Sequence, residues 1–295
     1  LFDQADICDP DRMEMLINEY SIDTIVHFAA ESHVDRSITG PAEFVRTNVN
    51  GTFTLLECAR KLHAEGRAIH FHHVSTDEVY GSLGQEGYFL ESTPYDPRSP
   101  YSASKASSDH LVRSYYHTYG LPVTISNCTN NYGPYQFPEK LIPLMILNIH
   151  EEKPLPVYGD GKNIRDWIHV DDHNTAVWKI LESGESGQTY NVGGENEWEN
   201  IKLIHGLCEI MAEKLGRDKE QVKKLITFVK DRPGHDRRYA IDCSKIKNDL
   251  GWERQYDFRD GLKATVDWYL SHPEWIEQVR SGEYRKWIEE NYLKR

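Results

Sequence analysis

The chain has 295 residues, of which 39% are hydrophobic, so it is long enough to bury a sizeable core in one large domain or two lobes. Lys and Arg total 34 against 47 Asp and Glu, and the net charge at neutral pH is −13. This acidic balance contains no basic run, which argues against general binding to a nucleic-acid backbone. An anionic ligand therefore needs a local cluster of Arg and Lys in a pocket.

Cysteine spacing and hydropathy indicate the compartment. The five cysteines form no CxxC pair and have no Cys/His metal spacing; they are Cys8, Cys58, Cys128, Cys208 and Cys243. Such a pattern is typical of reduced thiols in a cytosolic protein. No apolar stretch approaches the ~20 residues of a membrane span, and no signal peptide opens the chain. We therefore expect a cytoplasmic protein that does not bind membranes.

Helices and strands alternate in the first half of the chain. An N-cap and a proline at Asp9-Pro10 precede apolar residues at helical spacing, which predicts a helix there. Long helices are also predicted from Pro41 to near Gly66 and over 101–119. Short apolar runs are typical of strands covered on both faces of a parallel sheet; they lie at 24–30, 68–75 and 123–126. This alternation predicts the α/β class with a Rossmann-like, doubly wound parallel sheet.

The second half of the chain has a different organisation. Segments rich in Pro, Gly and charge separate shorter helical patches at 201–215 and 261–270. We interpret residues 1–130 as the sheet domain and 131–295 mainly as a smaller α/β lobe, with some segments returning to the first domain. Several aromatic residues near the C-terminus are expected to pack helices and not to stack on a ligand, namely Trp268, Tyr269, Trp275, Tyr284 and Trp287.

Tyr101 and Lys105 form the strongest local chemical signal. They lie four residues apart in a predicted helix, so their side chains share one face. A free phenol has a pKa of about 10, and a neighbouring ammonium lowers the pKa by favouring phenolate. Tyr101 could then take a proton from an alcohol that is being oxidised. The alternative is an accidental exposed pair, because YxxxK is common in helices.

Polar residues follow the predicted strand that ends at Ser75. Thr76, Asp77 and Glu78 come where ligands bind in open parallel sheets, beyond the carboxyl end of a strand. Two adjacent carboxyl groups in a cleft repel, so one can hold a proton while the other is ionised. Such an acid and base suit an elimination reaction. The alternative is a solvated turn, where Asp and Glu are common.

Three histidines on one predicted strand raise the question of a metal site. Only two of His70, His72 and His73 can share a face of a strand, and no carboxylate lies at a matching spacing. We therefore expect these side chains to pack or to lie at an edge, and we expect no metal site.

Five motifs together carry a family resemblance that covers nearly the entire chain. They are STDEVYG (75–81), SPYSASK (99–105), NCTNNYGPYQFPEKLIP (127–143), IRDWIHVDD (164–172) and DRPGHDRRYAID (231–242). The chain resembles the dTDP-glucose 4,6-dehydratases, which are extended short-chain dehydrogenases/reductases. The related sugar-nucleotide epimerases share the Tyr/Lys pair but usually carry small hydroxyl residues where this sequence has Asp77 and Glu78. The carboxylate pair therefore favours a dehydratase.

The resemblance implies an NAD-dependent lyase that makes dTDP-4-keto-6-deoxyglucose from dTDP-glucose. Tyr101 is implied as the base at the C4 hydroxyl, with Lys105 as its electrostatic partner and ribose contact. Thr76 would hydrogen-bond the C4 oxygen, Glu78 would remove the C5 proton, and Asp77 would protonate the departing C6 hydroxyl. Hydride would pass to NAD and return to C6, with no net redox change.

The resemblance also implies binding residues. Those near NAD are Asp6, Ile7, Ala29, Ala30, Thr47, Tyr101, Lys105 and Asn131. Those near the nucleoside-diphosphate hexose are Ser32, Thr76, Asn130, Lys140, Leu141, Pro156, Tyr158, Arg165, Asn200, Arg232 and His235. Among these, Lys140, Arg165 and Arg232 would form the local basic cluster that an anionic ligand requires. The planar guanidinium of arginine binds phosphate through two hydrogen bonds.

The sequence departs from the family in one respect. The Gly-rich turn of the first βαβ unit is missing from the chain as given, and we expect it upstream of Leu1. The alternative is a non-catalytic remnant that binds nucleotide sugars. A 4,6-dehydratase or 4-epimerase for another nucleotide sugar also stays open. The resemblance implies a homodimer formed through the helices that begin near Pro41 and Tyr101.

Overall fold

The computed structural model describes residues 1–280 and divides into two compact units. The first unit contains Leu1–Thr129, Asn174–Gly193 and Tyr239–Glu253. The second contains Asn130–His173, Gly194–Arg238 and the described residues from 254 onward. The chain therefore leaves the first unit and returns to it twice. The functional division into an NAD-binding domain at 1–130 and a substrate lobe at 131–295 stays a prediction, and its residues 281–295 lie outside the described residues.

A four-stranded parallel sheet organises the first unit, in the order β1-β2-β3-β7. Its strands are β1 (Thr24–His27), β2 (His70–Thr76), β3 (Val123–Cys128) and β7 (Thr189–Val192). Its helices are α1 (Pro10–Glu19), α2 (Val34–Thr39), α3 (Pro41–Phe44), a π-helical segment (Val45–Gly51), α4 (Thr52–Ala64), a 3-10 turn (Asp77–Tyr80), α5 (Pro100–Tyr119), most of α7 (Val170–Ser183) and α10 (Ser244–Leu250). The predicted parallel α/β architecture is confirmed.

Local sequence explains where the principal helices begin and end. Asp9 accepts the Arg12 backbone N–H at 3.0 Å and so caps α1, as its spacing before Pro10 predicts. Ser99 and Ser102 cap α5 reciprocally, each side chain bonding the other's backbone N–H at 3.0 Å. Gly120 ends α5 in the left-handed conformation, with φ of +67°. The predicted helix over 101–119 is thereby confirmed.

The helix expected from Pro41 to near Gly66 is present but not uniform. It runs through α3, the π-helical segment and α4 without leaving the helical conformation. The predicted long helical stretch is confirmed, but the wider backbone turns of residues 45–51, where Asn48 and Gly51 are buried, were not predicted. The short helix α2 was also missed, since six residues carry too little periodicity to recognise.

Apolar residues from both kinds of element form the core of the first unit. They come from α1, α4, β2, α5 and β3, and the fully buried members include Leu56, Ala59, Phe71, Val112 and Leu121. This packing fixes α5 against β2 and β3, which is the arrangement that positions the polar residues described below.

The second unit has two small sheets and its own core. One sheet has the order β4-β6-β8 and the other pairs β5 with β9. The strands are β4 (Asn130–Tyr132), β5 (Leu155–Tyr158), β6 (Ile164–His169), β8 (Glu197–Glu199) and β9 (Ile226–Val229). The helices are α6 (Leu141–His150), α8 (Asn200–Leu215), α9 (Lys219–Lys223), α11 (Phe258–Ser271) and α12 (Pro273–Val279). Ile142, Met145, Ile204 and Leu207 lie in its core.

Aromatic side chains join the two last helices of the second unit. The rings of Trp268 and Trp275 lie 5.2 Å apart, and Tyr269 lies 4.9 Å from Trp268. These contacts agree with a packing role, whereas Tyr284 and Trp287 lie outside the described residues. Within residues 1–280, no helix is long and apolar enough to cross a bilayer. All five cysteines are described, and no disulfide joins any two of them.

Candidate active site

Tyr101 occupies the first turn of α5, with its ring largely buried. Its exposed fraction is 9%, and the ring packs edge to face against Phe44 with centroids 6.3 Å apart. The phenol hydrogen-bonds the side chain of Thr76, and the carboxyl groups of Glu78 and Asp77 are close enough to act on its charge. The structure thus brings together four of the five predicted catalytic side chains.

The pKa of Tyr101 differs from the sequence-based expectation. Burial and then the Glu78 charge raise the pKa of the phenol well above its ordinary value, and the Thr76 hydrogen bond only partly opposes them. The prediction that Lys105 lowers this pKa was wrong for these residues. One turn of helix places the two residues on one face, but it does not make the ammonium point at the phenol.

The Lys105 side chain is directed instead at the strand beneath the helix. Its Nζ donates to the Val74 carbonyl oxygen at 2.9 Å and lies 3.4 Å from His73 Nε2. Both neighbours belong to β2, and Lys105 is only 4% exposed. Burial lowers the pKa of this ammonium, while the Asp109 carboxylate opposes that shift. Lys105 is therefore anchored to the sheet.

Thr76, Asp77 and Glu78 lie at the carboxyl end of β2. Thr76 caps the 3-10 turn by accepting the Glu78 N–H at 3.3 Å, and its hydroxyl lies 3.3 Å from Asp77 Oδ1. Asp77 is buried and Glu78 is half-buried. Gly81 ends the turn with φ of +90°, and a Cβ there would lie 2.6 Å from the Asp96 carbonyl oxygen. The turn is therefore held in a fixed shape.

The residues that follow β1 fit a dinucleotide. Ala29 is exposed and Ala30 half-buried where the chain leaves the strand. Methyl side chains there let a ligand approach the backbone, at the end of a parallel strand where dinucleotides bind. Ser32 is exposed two residues later. Asn48 holds the intervening Glu31 through two backbone hydrogen bonds of 2.8 and 3.0 Å.

Three further residues expected near NAD lie in the first unit. Asp6 accepts the Cys8 N–H at 2.9 Å and pairs with Arg46, and these contacts lower the pKa of its carboxyl group. Ile7 packs against Gly51 at the end of the π-helical segment, close enough that a Cβ on the glycine would clash. Thr47 is half-buried on that same segment. These residues thus group around residues 45–51.

The second unit contains the local basic cluster that an anionic ligand needs. Burial and then the charges of Arg232 and Arg165 lower the pKa of His235 to about 4. His235 Nδ1 lies 2.6 Å from Asp231 Oδ1, and its ring packs edge to face on Tyr158 at 6.2 Å. Arg165 donates to the Asp236 carbonyl oxygen at 2.9 Å. Four predicted substrate residues are therefore neighbours.

The other predicted residues of the second unit are distributed over its elements. Asn130 and Asn131 lie on β4 opposite Trp167 and Ile168 of β6. Lys140 precedes α6, Leu141 begins it and packs on the core, Pro156 lies on β5, and Asn200 begins α8. The roles of all these residues stay predictions.

Sequence reasoning missed the polar residues that support Lys105. The sequence predicts only packing or an edge position for His73, and it drew no attention to Asp109. Asp109 lies four residues after Lys105 on the same helix, a spacing that could have found it. His70 and His72 both contact Thr124 Oγ1, at 3.0 and 2.9 Å, on the opposite face of β2. Among residues 1–280, no group of three or more His, Cys, Asp or Glu could hold a metal.

Comparison with known proteins identifies the family. The model of the GDP-mannose 4,6 dehydratase family matches residues 1–265. The dTDP-glucose 4,6-dehydratase of Escherichia coli is 51% identical over 305 residues, covering 99% of this chain and 84% of that protein.

Solved structures show the same relationship. The structure of DesIV, a dTDP-glucose 4,6-dehydratase from Streptomyces venezuelae with NAD bound, has a TM-score of 0.85 and 47% identity, covering 93% of this chain and 81% of that one. The NAD complex of UDP-glucose 4-epimerase from Thermus thermophilus has a TM-score of 0.82 but only 26% identity, covering 91% and 84%. The fold is thus shared more widely than the sequence. The chain therefore belongs to the GDP-mannose 4,6 dehydratase family, among the dTDP-glucose 4,6-dehydratases.

Proposed function

We propose that this protein converts dTDP-glucose to dTDP-4-keto-6-deoxyglucose by oxidation at C4, loss of water across C5 and C6, and reduction at C6. The observation that carries the proposal is the grouping of Tyr101 with Thr76, Asp77 and Glu78 at the carboxyl end of β2. An epimerase needs only the oxidation and its reversal. The adjacent carboxyl groups provide the acid and the base that an elimination needs in addition.

NAD is the cofactor of the proposed reaction. When bound, NAD would supply a hydride acceptor for oxidation at C4 and a hydride donor for reduction at C6, with no net consumption of cofactor. In the first unit, Asp6, Ile7, Ala29, Ala30 and Thr47 would hold it, together with Tyr101 and Lys105. Asn131 of the second unit is proposed as a further contact.

The side chains of the first unit handle the protons. Tyr101 accepts the proton of the C4 hydroxyl, while Thr76 hydrogen-bonds the same oxygen and holds it in place. Once C4 is a ketone, the C5 proton becomes acidic and Glu78 removes it. Asp77 donates a proton to the C6 hydroxyl as it leaves as water.

The basic cluster of the second unit is proposed to bind the diphosphate. Arg165, Arg232 and His235 are the cationic and polar groups that lie together there, and Asp231 orients the His235 ring. Two guanidinium groups can each form two hydrogen bonds with phosphate oxygens. Ser32, Asn130, Lys140, Leu141, Pro156, Tyr158 and Asn200 are proposed to contact the rest of the nucleotide sugar.

A product assay tests the function. The protein is incubated with dTDP-glucose and NAD, and 4-keto-6-deoxy product is measured by its absorbance in alkali and by mass spectrometry. Tyr101→Phe should lower kcat by about 10²–10⁴-fold, the usual loss for a general base. Tyr20→Phe, exposed at the end of α1, is the matched control and should retain activity. A wild-type protein that only interconverts C4 epimers would contradict the proposal.

We also propose that the protein is a cytoplasmic homodimer. Large apolar side chains are exposed along the helices expected to pair, with Val45, Phe53 and Tyr119 about half exposed. Such residues suit an interface between two copies. Sedimentation should give a dimer at micromolar concentration, and Phe53→Glu should shift it toward monomer. Met15→Glu, on the exposed side of α1, is the control that should leave the dimer intact.

A further inference from the structure

A fully buried carboxylate lies behind Lys105 and has no assigned role in the reaction. Asp109 Oδ2 accepts hydrogen bonds from Ser75 Oγ at 2.9 Å and from the Tyr95 hydroxyl at 2.8 Å. Its other oxygen, Oδ1, lies 3.2 Å from His73 Nε2. Asp109 and His73 are both 0% exposed. Two residues of β2 and one residue of the segment before α5 therefore converge on the Asp109 carboxylate.

The surroundings of His73 and Asp109 indicate which of the two side chains is charged. Burial and the neighbouring Lys105 charge lower the pKa of His73 to about 4, so its ring is neutral at neutral pH. Burial raises the pKa of Asp109, but the contact with His73 and the Lys105 charge outweigh it and lower the pKa overall. An ionised carboxylate only accepts, so a hydrogen bond across the 3.2 Å between His73 Nε2 and Asp109 Oδ1 requires the ring proton on Nε2. Among the described residues, His73 Nδ1 has no hydrogen-bond partner.

Lys105 needs a counter-charge because it is buried. An isolated ammonium in a protein interior loses its hydration and tends to release its proton. The titratable or charged groups that face this cluster are His27 and His73 from the sheet, Cys128 of β3, Tyr95, and Asp109 and Arg113 of α5. Asp109 is the carboxylate in that set, and its Oδ1 lies 3.2 Å from the same His73 Nε2 that lies 3.4 Å from Lys105 Nζ. Asp109 therefore supplies the negative charge opposite the Lys105 ammonium, which the residues of the sheet do not supply.

We propose that Asp109 is a positioning residue, which holds Lys105 protonated and anchored on β2 while His73 fixes the carboxylate. The proposal rests on the proposed function, in which Lys105 is one of the residues that hold NAD. Asp109 does not touch the reacting atoms. It acts through Lys105, so its loss should change the pH range in which the enzyme works and not only the amount of folded protein.

The pH profile of kcat/KM tests this role in the full chain. Asp109→Asn keeps the shape but removes the charge, so Lys105 should lose its proton at lower pH. The alkaline limb of the profile should move down by about 1–3 pH units, the usual effect of a nearby charge. Asp166→Asn is the matched control, because Asp166 is a buried carboxylate that accepts the Gly194 N–H at 2.8 Å in the second unit. If the wild type forms keto product and the alkaline limb of Asp109→Asn stays in place, the proposal is overturned. A wild type that forms no keto product would instead count against the proposed function.

A double-mutant cycle separates action through Lys105 from a merely structural effect. In the Lys105→Met background, Asp109→Asn should change single-turnover rates by no more than about twofold, because the group it supports is already gone. A structural role would lower the rate by the same factor in both backgrounds. If Asp109→Asn alone fails to fold, thermal unfolding gives the answer, since the uncharged pair in the double variant should be at least as stable as Lys105→Met. A double variant less stable than that single variant would contradict the pairing.

Discussion

Asn48 binds the backbone of Glu31 at both ends of its amide. Its Oδ1 accepts the Glu31 N–H at 2.8 Å, and its Nδ2 donates to the Glu31 carbonyl oxygen at 3.0 Å. The same Nδ2 donates to Ser104 Oγ at 2.8 Å, and Asn48 is only 1% exposed. One side chain thus ties the loop after β1 to the π-helical segment and to α5, next to Lys105.

Replacing Asn48 should weaken both the fold and cofactor binding. Asn48→Ala leaves the Glu31 N–H and carbonyl without their partner, and should lower the free energy of unfolding by about 1–3 kcal/mol. Because the loop it holds contains Ala29 and Ala30, KM for NAD should rise more than kcat falls. Urea unfolding and NAD titration measure the two effects. Asn50→Ala, exposed on the same segment, is the control, and equal effects of both variants would count against this role.

The fold was largely predictable because the chain obeys simple periodicity. Short segments of sequence determine the helix caps at Asp9 and Ser99, the helix end at Gly120 and the apolar strands. Such local preferences can be recognised in the sequence alone. The π-helical segment at 45–51 could not be predicted in this way, because Asn48 and Gly51 make buried contacts there with residues that are distant in sequence.

The residues of the candidate site could be predicted from the sequence, but the orientations of their side chains could not. Tyr101 and Lys105 were found from their spacing, and the turn at 76–78 from its position after an apolar strand. Which way Lys105 points depends on Val74 and His73, which lie about thirty residues away in sequence. Periodicity describes one helix at a time and cannot supply such a contact. The same limit explains why the pKa of Tyr101 was predicted in the wrong direction.

The buried histidines should make stability fall in mild acid. Burial lowers the pKa of His173 to about 4, and burial with the Lys105 charge does the same for His73. In the unfolded chain these rings bind protons near pH 6.5, so unfolding takes up protons between about pH 6.5 and 4. The stability that these neutral rings contribute is complete above pH 6.5 and is lost as the pH falls toward 4, by up to about 1.4 kcal/mol per pH unit for each ring.

Urea unfolding at several pH values checks this dependence. His173→Gln removes one titrating ring, so the slope of unfolding free energy against pH between 6.5 and 4 should fall by about one proton. The substitution also lowers the free energy of unfolding by a constant amount at every pH, so the slope against pH, and not the absolute value, tests the prediction. An unchanged slope would mean that the folded protein binds a proton on His173 as readily as the unfolded chain does.

The basic cluster predicts a specific loss of substrate affinity. Arg232→Ala removes a guanidinium whose charge reaches His235, and should raise KM for dTDP-glucose by about tenfold to a hundredfold, the usual range for charged hydrogen bonds. kcat should change little, because the cluster binds the diphosphate and not the reacting carbons. Arg237→Ala is the control, since Arg237 pairs with exposed Asp160 at 3.0 Å. A fall in kcat with unchanged KM would contradict a diphosphate-binding role.

The two carboxyl groups at the end of β2 should fail at different points of the elimination. Glu78→Gln cannot accept the C5 proton, so C4 is still oxidised, elimination stops, and reduced nicotinamide accumulates at 340 nm without deuterium exchange at C5. Asp77→Asn lacks the acid for the C6 hydroxyl, so elimination also stops, but Glu78 still exchanges the C5 proton with solvent deuterium. Glu86→Gln, an exposed substitution of the same kind, should do neither. Exchange that survives in Glu78→Gln but is lost in Asp77→Asn would reverse the two roles, and wild-type product formation by Glu78→Gln would remove it from the elimination.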